Sequence, residues 1–137
     1  MDITISQAQG RVPVSVIRLV GKLDSQTYED LIAKARELYE AGTRDVLLDL
    51  GGLAYISSGG LVALHTIALL LRGLPLPEPG HSWSSIKSID RVSSTGVQQH
   101  IKLLNPQPEV NSVLEMVGFS KIFEIFRDRE QAIQSFG

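Results

Sequence analysis

A chain of 137 residues and 15.0 kDa, 43% of them hydrophobic, is long enough to bury one ordinary core. Its formal net charge of -2, on 20% charged residues, supplies no field for nonspecific capture of nucleic acid or of an anionic membrane. Cysteine is absent, which excludes disulfides, thiol nucleophiles and thiolate metal sites and leaves nothing that ties the fold to an oxidising compartment.

The N-terminal MDITISQAQG has neither the basic start nor the apolar stretch of a secretory signal, so a soluble cytoplasmic protein is the expectation. Ile3 and Ile5 alternate with polar residues, and Val14, Val16, Ile17 and Leu19 form a second β-rich run ending at Gly21. Two strands are predicted. Tyr28, Leu31, Ile32, Ala35, Leu38 and Tyr39 then recur at helical spacing, with Gly42 just past the end. Val46, Leu47, Leu48 and Leu50 make the continuous apolar run of a central strand buried on both faces.

A serine-headed helix follows, Ser58 to Arg72. Its apolar stretch from Leu61 to Leu71 contains His65 and Thr66 and falls short of the roughly 20 residues that span a bilayer. Projected at about 100° per residue, Ala63, Leu64, Ile67, Leu70 and Leu71 share the core side, while Ser58, Val62, His65, Leu69 and Arg72 share the other. Ser57 is the more natural N-cap and Ser58 the hydroxyl better placed for solvent. Gly59 and Gly60 leave room for a tight turn or an approaching partner. A helix N-terminus also tolerates a phosphate, through its free N–H groups and positive dipole end.

From Gly73 to Gln99 the rhythm breaks. Pro75, Pro77, Pro79 and Gly80 precede a serine-rich stretch that holds the lone Trp83, so this interval is read as plain disorder or as a binding element. Ile101 to Leu104 is the next strand, stopped by Asn105-Pro106-Gln107-Pro108. Val110, Val113, Leu114 and Val117 mark a helix closed by Gly118, Ile122 to Phe126 a last strand, and Asp128 the N-cap of a helix carrying Ala132, Ile133 and Phe136 inward. The order β-β-α-β-α-β-α-β-α predicts one α/β domain over residues 1–137, with a mixed sheet of four to five strands, about four helices and a long insertion at about 73–99.

Several stretches together resemble the STAS domain, the fold of bacterial anti-sigma factor antagonists. They are Gly21-Lys22-Leu23-Asp24 opening the first helix, Leu48-Asp49-Leu50 closing the central strand, Tyr55-Ile56-Ser57-Ser58-Gly59-Gly60-Leu61 at the start of the second helix, and Val113-Leu114-Glu115-Met116-Val117-Gly118-Phe119 near the end. The resemblance implies a phosphorylation-controlled binding module. Unmodified, it docks on an anti-sigma factor that is also a serine kinase and so frees the sigma factor. Phosphate placed on Ser58, with Ser57 as second choice, releases it, and a metal-dependent serine phosphatase resets it. The family pattern maps the phosphoacceptor onto Ser58 and an aspartate onto Ser57, so the acidic neighbour is missing here. The short connection of the family is replaced by the 73–99 insertion. Asp24, Ser57, Ser58, Gly59, Val62, His65 and Leu69 are the expected partner surface, with no cofactor, metal, membrane or direct nucleic-acid contact, on a monomer or weak homodimer.

Residue by residue, simpler roles stay open. Ser58 also suits a plain helix start, Asp24 a local cap, and Asp49 a strand residue that satisfies nearby backbone donors. Val62 and Leu69 also suit a face covered by the insertion or the final helix. His65 has no second histidine at ligand spacing. It stands about two turns from Ser58, too far to activate it, and no G-x-S-x-G elbow, phosphate loop or dinucleotide fingerprint occurs. An enzyme is not expected; the alternative is a STAS scaffold, never phosphorylated, in a signalling or transport complex. A small-ligand site has no sequence feature behind it.

Overall fold

The computed structural model describes residues 1–73 and 98–137. Alternating apolar residues on either side of Gly10 pair β1 (Asp2–Gln9) antiparallel to β2 (Pro13–Leu23), with Ile3 opposite Leu19 and Ile5 opposite Ile17. The next strands run parallel to β2: β3 (Val46–Ile56), β4 (Ile101–Leu104) and β5 (Ile125–Phe126), in the sheet order β1-β2-β3-β4-β5. Helix α1 (Tyr28–Glu40) connects β2 to β3, and Gly42, at φ 110°, ends it in a conformation that favours glycine. Helix α2 (Ser58–Leu71) follows β3. Between β4 and β5 lie α3 (Pro108–Met116) and a single 3₁₀ turn, Phe119–Lys121, and α4 (Arg129–Gln134) closes the described chain.

The sheet separates two apolar clusters. On one face Ile17, Leu19, Leu48, Leu50 and Leu103 meet α1, α2 and α3; on the other Val14, Val16, Leu47 and Leu104 meet Ala132, Ile133 and Phe136 of the last helix and its C-terminal flank. Leu47 and Leu48, both fully buried, serve opposite clusters, as a central strand requires. Asp128 caps α4 by accepting from the Gln131 N–H at 3.0 Å, and Gly118, at φ 82°, ends α3 as its sequence position predicts.

Three boundaries differ from the sequence expectation. Strand β2 runs two residues past Gly21 to Leu23, and β3 continues past Leu50 to Ile56. The register of β2 against β3 slips between Arg18 and Val20, where Gly52 lies so close to β2 that a methyl group on it would stand 2.8 Å from Val20 Cγ2. The Gly51-Gly52 pair is therefore an irregularity inside the strand rather than its end. Ile122 and Phe123 belong to a tight turn instead of the last strand: both N–H groups donate to Phe119 O, at 3.0 and 2.8 Å, and the Phe119 and Phe123 rings pack with centroids 5.3 Å apart. The insertion expected at about 73–99, Trp83 included, falls outside the described residues from 74 to 97.

Candidate functional site

The carboxyl ends of β2 and β3 lie side by side, Leu23 opposite Ile56, and the turns leaving them form the site. The Ser57 N–H donates to Leu23 O at 2.9 Å, which fixes the entry to α2 against β2. Ser57 is the N-cap: its backbone is extended and its Oγ accepts from the Gly60 N–H at 3.4 Å, while its carbonyl accepts from the Leu61 N–H at 3.0 Å. Ser58 is the first helical residue and is exposed.

Two glycines make this geometry possible. A methyl group on Gly60 would stand 2.6 Å from Ile56 Cγ1 and 2.9 Å from both Leu23 Cγ and Leu23 O. One on Gly59 would stand 3.2 Å from Ser25 Cα and 3.5 Å from the Asp24 carbonyl carbon. The first turn of α2 thus rests directly on the backbone of the loop that precedes α1. Asp24 organises that loop: its Oδ1 accepts from the Gln26 N–H at 2.9 Å and the Thr27 hydroxyl at 3.2 Å, and its carbonyl accepts from the Tyr28 N–H at 2.9 Å. Asp24 thus orders the loop on which the first turn of α2 rests.

The same frame extends under the site. Asp49 Oδ1 accepts from the Gly51 N–H at 3.0 Å, the backbone-satisfying role foreseen for it, and Gln107 Nε2 donates to Gly51 O at 2.9 Å. Gln107 had no sequence signal beyond its place between two prolines.

Helix α2 corrects the expected outward face. Val62 is 5% and His65 3% exposed, and only Leu69 of that trio is partly exposed. From Leu61 to Leu71 the helix carries no charged side chain and every residue but Leu69 is buried, so an outward-facing stripe does not form there. Val62 and His65 are core residues. Burial pushes the His65 imidazole below its ordinary value, because the charged form is the one that loses water.

Among the described residues no group of three His, Asp or Glu side chains could hold a metal ion, and no helix is long and apolar enough to cross a membrane. Ser58 is an exposed serine at a helix N-terminus.

Comparisons place this geometry in a known group. Residues 6–75 match the family model described as Mlab, STAS domain. Over 136 residues, 99% of this chain and 95% of the relative, the sequence is 30% identical to BtrV of Bordetella bronchiseptica, a protein named provisionally as an anti-sigma factor antagonist. The chain belongs to the STAS domain family of anti-sigma factor antagonists. Solved folds agree. An anti-sigma factor antagonist from Mycobacterium paratuberculosis superposes with a TM-score of 0.64 at 16% identity, over 98% of this chain and 93% of that one. Unphosphorylated SpoIIAA, also an anti-sigma factor antagonist, gives 0.53 at 19% identity over 96% and 94%, and a phosphorylated form of SpoIIAA has been solved as well, with a TM-score of 0.51.

Proposed function

We propose that this STAS domain is a phosphorylation-controlled antagonist of an anti-sigma factor. Unmodified, it binds an anti-sigma factor that is also a serine kinase and frees the sigma factor; phosphate on Ser58 releases it, and a serine phosphatase resets it. The domain itself catalyses nothing. Meeting a kinase and its ATP, such a switch works in the cytoplasm.

The observation that carries this is Ser58: an exposed hydroxyl on the first residue of a helix whose start is locked onto the Leu23–Ser25 backbone. A kinase reaches it from solvent without opening the core. A phosphoserine carries about -1.5 to -2 charges, which the positive helix end tolerates in water but which cost much once pressed into a desolvated interface without a cation. The modification therefore ejects the partner and leaves the fold intact. Asp24, Ser57 and Ser58 line the contact, with Gly59 beneath them and the partly exposed Leu69 further along the helix; Val62 and His65, being buried, support it from within. That BtrV is a relative, and that SpoIIAA is known in both phosphorylated and unphosphorylated forms, supports the reading.

Incubation with a purified anti-sigma serine kinase and ATP, followed by intact-mass measurement, should add one phosphate to the wild type and none to Ser58→Ala. Addition of none to either protein favours the scaffold reading, which the serine at position 57, in place of the family's aspartate, keeps in view.

A further inference from the structure

The two edges of the sheet are managed differently. Strand β5 is two residues long, too short to template another chain, whereas β1 presents eight residues, Asp2–Gln9, as the opposite edge. The usual devices that blunt such an edge are missing. It contains no proline, lysine or arginine, its pairing with β2 runs without a bulge, and six of its eight residues are exposed, including Ile5 at 36%. Its single charge, Asp2, stands at one end.

We propose that β1 is a homodimer interface, pairing antiparallel with β1 of a second copy across a two-fold axis. The choice of a second copy rests on self-complementarity. Outward backbone groups alternate along a strand, so opposed residues must be of the same parity and the axis must pass through a residue, not between two. Axes through Ile5 or Ser6 keep the longest overlap within Asp2–Gln9. The Ile5 axis sets Ile5 on Ile5, Thr4 on Ser6, Ile3 on Gln7 and Asp2 on Ala8, so no like charges meet, hydroxyls face hydroxyls and the exposed isoleucines bury each other. The Ser6 axis leaves Ile5 on Gln7 and Ile3 on Gln9. Ile5 pairs with Ile17 of the larger core cluster, so the Ile5 contact falls on the helix-covered side of the sheet and extends its apolar layer across both copies. Strand pairing alone buries less than the roughly 1,600 Å² of a standard interface, so the dimer is weak and reversible.

Sedimentation equilibrium from about 10 μM to about 1 mM tests it. The wild type should move from the monomer mass of 15.0 kDa toward twice that value. Ile5→Lys and Ile5→Glu, changes at an exposed position, should each weaken association by about tenfold or more through like charges at the axis, and their equimolar mixture should restore it. In the wild type, alternate β1 amides should exchange more slowly as concentration rises, a readout independent of any variant. The proposal is overturned if the wild type stays at monomer mass throughout, or if both charged variants dimerise as it does, which would place the contact elsewhere. β1 amides protected only by a different protein, with no self-association, would likewise overturn it in favour of a foreign strand.

Discussion

Replacing Gly60 by alanine probes the contact that sets the site. The added methyl meets Ile56 Cγ1 at 2.6 Å and Leu23 Cγ and O at 2.9 Å, and one of these three is backbone, which cannot swing aside. Overpacking of that kind costs about 1–3 kcal/mol, against which a glycine-to-alanine change inside a helix returns up to about 1 kcal/mol. The net expectation is a loss of about 1–2 kcal/mol, or about 3–8 °C in melting temperature for a chain of this length. Urea and thermal unfolding followed by far-ultraviolet circular dichroism measure it. Gly59→Ala, whose methyl meets Ser25 Cα at 3.2 Å, asks only for a shift of the loop and should cost less. A Gly60→Ala protein as stable as the wild type, or more so, would falsify the claim that this close approach locks the helix start in place.

Further expectations concern the core and the C-terminal flank. Because burial lowers the His65 pKa in the folded state, its contribution is intact above its ordinary value of 6.5 and is lost progressively as pH falls from there toward the lowered folded value. His65→Gln should flatten the wild-type decline in stability as pH falls below 6.5, and an unchanged slope would locate the titration elsewhere. Lys102, 4% exposed on β4, donates from Nζ to Ser135 O at 3.1 Å and Ser135 Oγ at 3.0 Å and lies 4.8 Å from the Phe136 ring centroid. Lys102→Ala should cost about 2 kcal/mol and speed hydrogen exchange in Arg129–Gln134 more than in β1 and β2. Ser57→Ala removes the cap on α2 and should cost about 0.5–1 kcal/mol, the low end for such caps, since the Gly60 N–H to Ser57 Oγ distance is a long 3.4 Å.

How much of this was legible in the sequence depends on whether the signal is local. The Ile101–Leu104 strand, the Asp128 cap and the Gly118 helix end were readable because each rests on residues adjacent in the chain. So was the division of labour between Ser57, which caps, and Ser58, which is exposed. The continuation of β3 through Gly51-Gly52 was not, because paired glycines mark a turn equally well and only the approach of Val20 from the neighbouring strand shows why side chains are excluded there. The buried face of α2 was misjudged for a related reason. A helical projection ranks faces but does not tell which of them the rest of the fold covers, and Val62 and His65, placed outward by it, are 5% and 3% exposed. Gln107 joins the frame through a contact 56 residues away in the chain, which no local pattern reveals.

The switch itself is tested most directly by binding. Titration calorimetry of a purified anti-sigma serine kinase against wild type, Ser58→Ala and Ser58→Asp should give near-equal affinity for the first two and at least about tenfold weaker binding, about 1.4 kcal/mol, for the third. Equal affinity for Asp and Ala at position 58, with both proteins folded, would contradict charge control at this hydroxyl.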